Sequence, residues 1–130
     1  MNTLSPDIEK PAANFNELVI SKWPTGSNYI CSPPVEDTDI DYVVFVKGTL
    51  QSAKAYLHNE GWNLCGKEYD EGSTEWFAMR KGKDNYIVMN DQERFSKWVN
   101  ATELAKKLNL TNKDHRILLF NTIIDGMTHY

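Results

Sequence analysis

The chain reads as an α/β (α+β) domain, a mixed β-sheet with flanking helices. Three observations predict it. Short β-branched and aromatic runs, above all Val43-Val44-Phe45-Val46, have the composition of strands buried on both faces. Longer segments between them space their apolar residues at helical intervals. The resulting order is helix, loop, strand, helix, strand, hairpin and two helices, which lays helices against a sheet.

Each element has its own signal. Phe15, Leu18, Val19 and Trp23 fall at helical spacing, so Ala12 to Trp23 is expected to be a helix that Pro24 stops. Thr25 to Thr38 holds Gly26, Ser27, Asn28, Pro33 and Pro34, a run of turn formers that predicts no regular helix. Ile40 to Val46 is the best strand. Thr49 to Asn59 is a helix with Leu50, Ala53 and Leu57 on one face and Gly61 as its stop. Trp62 to Tyr69 suits a strand, and Asp70-Glu71-Gly72-Ser73 a turn. Thr74 to Arg80 and Asn85 to Met89 form a hairpin across Lys81-Gly82-Lys83-Asp84. Asn90 and Glu93 have capping-box spacing for a helix reaching Leu108. A last helix starts near Thr111 and ends at Gly126.

Length and composition bound the rest. The chain has 130 residues, one domain's worth, with residues 1–10 read as a flexible lead-in and 11–130 as a single domain. It carries 14 Lys and Arg against 18 Asp and Glu, so a protein that coats nucleic-acid backbones is a poor fit. The start, MNTLSPDIEK, lacks a basic segment followed by an apolar one, and no apolar run approaches the ~20 residues that cross a bilayer. Cys31 and Cys65 are far apart and His58, His115 and His129 lack metal-ligand spacing. Neither a disulfide framework nor a zinc site is expected, and a reducing cytoplasm is the natural setting. The four tryptophans read as mostly core or near-core, Arg80-Lys81-Gly82-Lys83 as a solvated basic turn, and Cys31 as no nucleophile.

One segment points to chemistry. Gly26-Ser27 is followed, after eleven residues, by Asp39-Ile40-Asp41-Tyr42 at the head of the best strand. Residues two apart on a strand share a face, so the Asp39 and Asp41 carboxylates project side by side and repel. Asp37 shares their parity. Acids on an interior strand are expensive unless partnered, and a hard divalent cation with oxygen ligands, Mg²⁺ or Mn²⁺, is a fitting partner. Glycine allows close backbone approach, and backbone N–H groups beside a serine hydroxyl suit phosphate oxygens.

This pattern resembles the nucleotidyltransferase superfamily that includes DNA polymerase beta, whose signature is Gly-Ser, a gap of this order, then Asp-hydrophobic-Asp-hydrophobic. The wording TGSNYICSPPVEDTDIDYVV is similar to small stand-alone members from bacteria and their phages, as are NYIVMND and WVNATELAKKLNL further on. The resemblance runs from about Trp23 to Gly126. It implies a minimal nucleotidyltransferase fold, Asp39 and Asp41 as catalytic metal ligands, and Gly26 and Ser27 as contacts to a nucleoside triphosphate such as ATP.

It also implies a third acid at the start of a later strand. There the chain reads Asp84-Asn85-Tyr86-Ile87-Val88, and the matching position is Asn85. Three arrangements stay open. Asn85 ligates through its amide oxygen, a bulge brings in Asp84, or the site has two carboxylates only. Asp91 shares the parity of Asn85 but lies ~20 Å further along an extended strand, and it suits a helix cap. The implied activity is metal-dependent transfer of a nucleoside monophosphate from the triphosphate to a hydroxyl of an RNA end, a protein or a small molecule. The alternative is a weak or inactive module of the same fold that binds nucleotide or a protein partner, as in toxin–antitoxin or host–phage pairs. With no visible second domain to recognise an acceptor, a homodimer or a partner protein is expected to supply it. No membrane partner is expected.

Overall fold

The computed structural model describes residues 11–32, 39–64 and 75–125. The lead-in, Asp37, the Asp70–Ser73 turn, most of the Trp62–Tyr69 strand, Cys65, His129 and the Gly126 stop lie outside the described residues. Among the described residues, five strands form one mixed sheet with four α-helices and one 3₁₀ turn. The strands are β1 (Val19–Thr25), β2 (Ile40–Val46), β3 (Asn63–Leu64), β4 (Trp76–Lys81) and β5 (Asp84–Met89). The helices are α1 (Gly26–Ile30), α2 (Leu50–Asn59), α3 (Gln92–Lys107) and α4 (Lys113–Asp125). The sheet order is β1-β2-β5-β4-β3, with β2 and β5 parallel and the other pairs antiparallel.

The two faces of β2 explain the layers. Val44 and Val46 point to one face, where they pack with Phe15, Leu57, Trp62 and Val88 beneath α2. Val43 and Phe45 point to the other, where the Phe45 ring stacks on Phe95 of α3 at 5.8 Å and Trp98 meets Trp76 at 5.7 Å. Asp41 has the parity of Val43, so it emerges on the α3 side. The run that reads as doubly buried is so because helices cover both faces.

Three expectations fail for identifiable reasons. Ala12 to Trp23 is not a helix. Phe15–Leu18 is one 3₁₀ turn and Val19–Thr25 is a strand pairing with β2. Over so short a stretch the helical spacing of Phe15, Leu18 and Val19 comes from a turn that buries Phe15 and Leu18, while β-branched Val19-Ile20 starts the strand. Pro24 is tolerated because β1 lies at the sheet edge, where a missing N–H breaks no outer ladder. Gly26–Ile30, expected to be irregular, is a short helix. The third difference is the start of α3, where Asn90 is not the cap and Asp91, also expected to suit one, is. Asp91 Oδ1 accepts from the Glu93 and Arg94 N–H groups, while the Asn90 amide donates to the Gly48 carbonyl. β2, α2 and the hairpin fall within two residues of their expected ends.

Candidate functional site

The site lies where β1 ends, α1 begins and β2 and β5 start. Register sets its contents. Thr25 pairs with Asp41, Asp41 with Asn85, Asn85 with Arg80, and Arg80 with Asn63. One polar row therefore crosses all five strands on neighbours ~4.8 Å apart. Its β1 end is closed by a buried hydroxyl pair, Thr25 Oγ1 and Thr102 Oγ1 at 2.7 Å. Thr102 gives its single proton to the Trp98 carbonyl, so Thr25 is the donor of that pair.

Asp41 sits second in the row, between Thr25 and Asn85, and is half-buried. Its Oδ1 accepts from Asn85 Nδ2 at 3.0 Å. Its Oδ2 lies over the Gly26 backbone, so close that a Cβ on Gly26 would stand 2.0 Å from it. Gly26 also holds φ at +77°, a left-handed conformation. The Gly-Ser turn and the second aspartate are thus in direct van der Waals contact. Burial pushes the Asp41 carboxyl above its ordinary range. The Asn85 bond and the Arg80 charge pull it back, and the Asp39 charge pushes it up further.

Asp39 precedes β2 and shares the face of Asp41. It is ion-paired with Arg80, whose Nη2 donates to Asp39 Oδ2 at 2.5 Å. Its charge acts on Asp41, so the structure does bring the two acids together. The regular β2–β5 register contains no bulge, so Asp84 stays on the opposite face, beside Ile40. Asp91 caps α3 at the far end of β5. Among the described residues no group of three His, Cys, Asp or Glu side chains converges as a metal cage. The donor set is two carboxylates with the Asn85 amide beside them. That set suits Mg²⁺, which commonly takes one or two carboxylates and fills its other positions with substrate phosphates and water.

α1 is held in place by polar links to α3. Glu103 Oε2 accepts from both Trp23 Nε1 at 2.8 Å and the Tyr29 hydroxyl at 2.7 Å. Lys106 Nζ donates to the Tyr29 carbonyl and lies over the Tyr29 ring. The Ser32 N–H donates to Asn109 Oδ1 at 3.1 Å. Asn109 reaches it from a left-handed turn at the end of α3, at φ 49°.

Two clefts meet at Thr25 and Asp41. One, of about 280 Å³, is lined by Gly26, Ser27, Trp98, Lys113 and Arg116. The other, of about 380 Å³, is lined by Asn28, Tyr29, Ser32, Tyr42 and Lys106. A third, of about 480 Å³, lies between β1 and α3 with Lys22 as its one charged lining group, remote from the carboxylates.

No family model, curated protein or solved structure matches this chain. The functional reading therefore rests on its own residues. The structure gathers Gly26, Ser27, Asp39, Asp41 and Asn85 into one locality. Sequence reasoning missed Arg80, Lys113 and Arg116 as neighbours of the site. Arg80 was within reach, since a two-residue turn at Gly82-Lys83 pairs Arg80 with Asn85 and gives both the same face. Lys113 and Arg116 carry no such local signal, because the packing of α4 on α3 brings them there.

Proposed function

We propose that the protein is a metal-dependent nucleotidyltransferase, which moves a nucleoside monophosphate from a nucleoside triphosphate to a hydroxyl and releases pyrophosphate. The observation that carries this reading is the contact between the Asp41 carboxylate and the Gly26 backbone, in a cleft that also presents Lys113 and Arg116. An acid pressed against a glycine turn, in a cleft that two cationic side chains also line, suits a site for a cation together with a polyanion.

Asp39 and Asp41 would hold Mg²⁺ or Mn²⁺. Bound there, the ion supplies charge neutralisation at the reacting phosphate. The Gly26-Ser27 backbone and the Ser27 hydroxyl hold the β and γ phosphates. Lys113 and Arg116 add positive charge on the same side. Arg116 is anchored at the cleft wall, where its Nη1 donates to the Leu110 carbonyl at 3.0 Å and to Cys31 Sγ at 3.4 Å. Asn85 fixes the rotamer of Asp41. The acceptor oxygen bonds to the α-phosphorus, the bond to the bridging oxygen breaks, and the acceptor proton passes to water. Positioning and charge supply the rate.

A second reading, a module that binds nucleotide without transferring it, is favoured by one observation. Asn85 cannot take a proton, and it stands beside Asp41 where a third carboxylate is expected. One pair of measurements separates the two. Triphosphate with Mg²⁺ raises the melting temperature under both readings, by an amount equivalent to about 2.7 kcal/mol at a hundredfold excess over Kd. Transfer of label from an α-phosphate-labelled triphosphate, with pyrophosphate release, occurs under the first only. A double Asp39→Asn, Asp41→Asn variant that kept full turnover would end the metal mechanism.

A further inference from the structure

We infer that Arg80 restrains cation binding at the metal site by occupying Asp39. In the metal-free protein its guanidinium pairs with Asp39, so a divalent cation must displace it. The inference rests on the reading of Asp39 and Asp41 as metal ligands.

The geometry carries it. Arg80 comes from β4, two strands away from Asp41, and register alone sets it beside Asn85 on the same face. Its Nη2 donates to Asp39 Oδ2. The one neighbour the row gives Asp41 from β5 is a neutral amide rather than an acid. Each carboxylate of the pair therefore has its own internal partner, Arg80 for Asp39 and Asn85 for Asp41. A cation that uses both acids must take Asp39 from Arg80 or share it.

The pair is poised to be exchanged. The Asp39 side chain is 35% exposed and that of Arg80 50% exposed. Ion pairs this open to water hold weakly, so a divalent ion arriving with a phosphate chain can displace the guanidinium. Once released, Arg80 stays within a side chain's length of the site, tethered by the β4–β5 hairpin. A neighbouring lysine cannot substitute for it, since Lys81 Nζ is committed to the Glu60 carbonyl at 2.8 Å.

The test is cation binding by the full chain without nucleotide. Free Mn²⁺ is followed by its electron paramagnetic resonance signal, for the wild type, Arg80→Met, Asp39→Asn and the double variant. Arg80→Met is expected to tighten Mn²⁺ binding about two- to fivefold, the range that an exposed ion pair can withhold. In the Asp39→Asn background the same substitution is expected to change nothing. An Arg80→Met protein that binds Mn²⁺ no more tightly overturns the inference. So does an equal gain in the Asp39→Asn background, which would mean that only the loss of a nearby positive charge matters. Arg80→Gln, which keeps a polar group on β4, guards against a folding defect in the Met variant. If the wild type takes up no Mn²⁺ even with a non-hydrolysable triphosphate, the metal reading itself fails and this inference with it.

Discussion

Gly26→Ala is the sharpest probe of the site, because two independent costs meet at one atom. The residue holds φ at +77°, and a left-handed backbone costs a residue with a Cβ roughly 1–2 kcal/mol. The added carbon would also lie 2.0 Å from Asp41 Oδ2 and 2.9 Å from Asp41 Cβ. Rotating the carboxylate away does not relieve the second contact, so the strand or the turn has to shift. Loss of the Asn85–Asp41 bond adds about 1 kcal/mol, and forced repacking of this kind typically adds 1–3 kcal/mol. Some of that is returned when Asp41 regains water, so a net loss of about 2–4 kcal/mol is expected. For a chain of this length that corresponds to a fall in melting temperature of roughly 8–15 °C. Gly48→Ala is the control. Gly48 has φ +84° but nothing near its Cβ position, so it suffers the backbone cost alone. Thermal denaturation followed by circular dichroism measures both. Asp41→Gly in the Gly26→Ala background should recover the contact part and leave the backbone part. If Gly26→Ala costs no more than Gly48→Ala, or if Asp41→Gly recovers nothing, the turn and the carboxylate are not in contact and the site dissolves.

Three further outcomes follow from the electrostatics. Burial raises the Asp41 pKa, so the folded state holds that proton more tightly than the unfolded chain. The stability this gives is full at low pH and lost as pH rises through the folded pKa. Asp41→Asn should therefore raise the melting temperature of the metal-free protein at pH 7, with the gain shrinking toward pH 4. A lower melting temperature at pH 7 would contradict the burial argument. The Tyr29 phenol is likewise pushed up, first by its hydrogen bond to Glu103, then by burial and the Glu103 charge, against a smaller downward pull from Trp23. Its contribution is present below the ordinary phenol range and lost as pH rises through the folded value, and Glu103→Gln should move tyrosinate absorbance to lower pH. An unmoved titration curve would show that Glu103 does not hold α1. Finally, Asn85→Asp removes the donor to Asp41 and sets a like charge beside it. It should destabilise the metal-free protein and enlarge the Mg²⁺-dependent rise in melting temperature, and an Mg²⁺ response no larger than that of the wild type would argue against a cation between these groups.

The sequence made the inner strands and the site pair legible but not the edge. Val43 to Val46 could only be a strand between covered faces, and strand parity then set Asp39 and Asp41 on one side. The link between Gly26-Ser27 and those acids came from their spacing and the resemblance to a known family, and the contact of Gly26 with Asp41 is its physical form. β1 was hidden because an edge strand carries weak constraints. It buries few side chains, tolerates Pro24, and here follows a 3₁₀ turn whose Phe15 and Leu18 mimic a helical stripe. The partners of the acids were hidden for another reason. Lys113 and Arg116 reach the cleft only through the packing of α4 on α3, a tertiary fact that no local pattern encodes.

The polar row also says where on this fold chemistry can sit. On the α3 side of the sheet, one end is filled by Phe45, Phe95, Trp76 and Trp98. At the opposite end the five-residue α1 and Thr102 of α3 lie above the row, with α4 beside it. A row placed there meets water on one side and the low-dielectric sheet on the other. An aliphatic residue at the half-buried Asp41 would remove the cost of burying its charge. The chain instead holds a half-buried carboxylate whose ionised form is disfavoured, beside a second acid occupied by arginine. Asn85 and Arg80 ease the charge on Asp41, while Asp39 adds to its cost. Under the proposed function a cation would answer Asp39 and Asp41, and the phosphates would meet Lys113 and Arg116 in the cleft beside Gly26. A metal–polyphosphate complex would then bring both charges at once, which a metal ion or an anion alone would not.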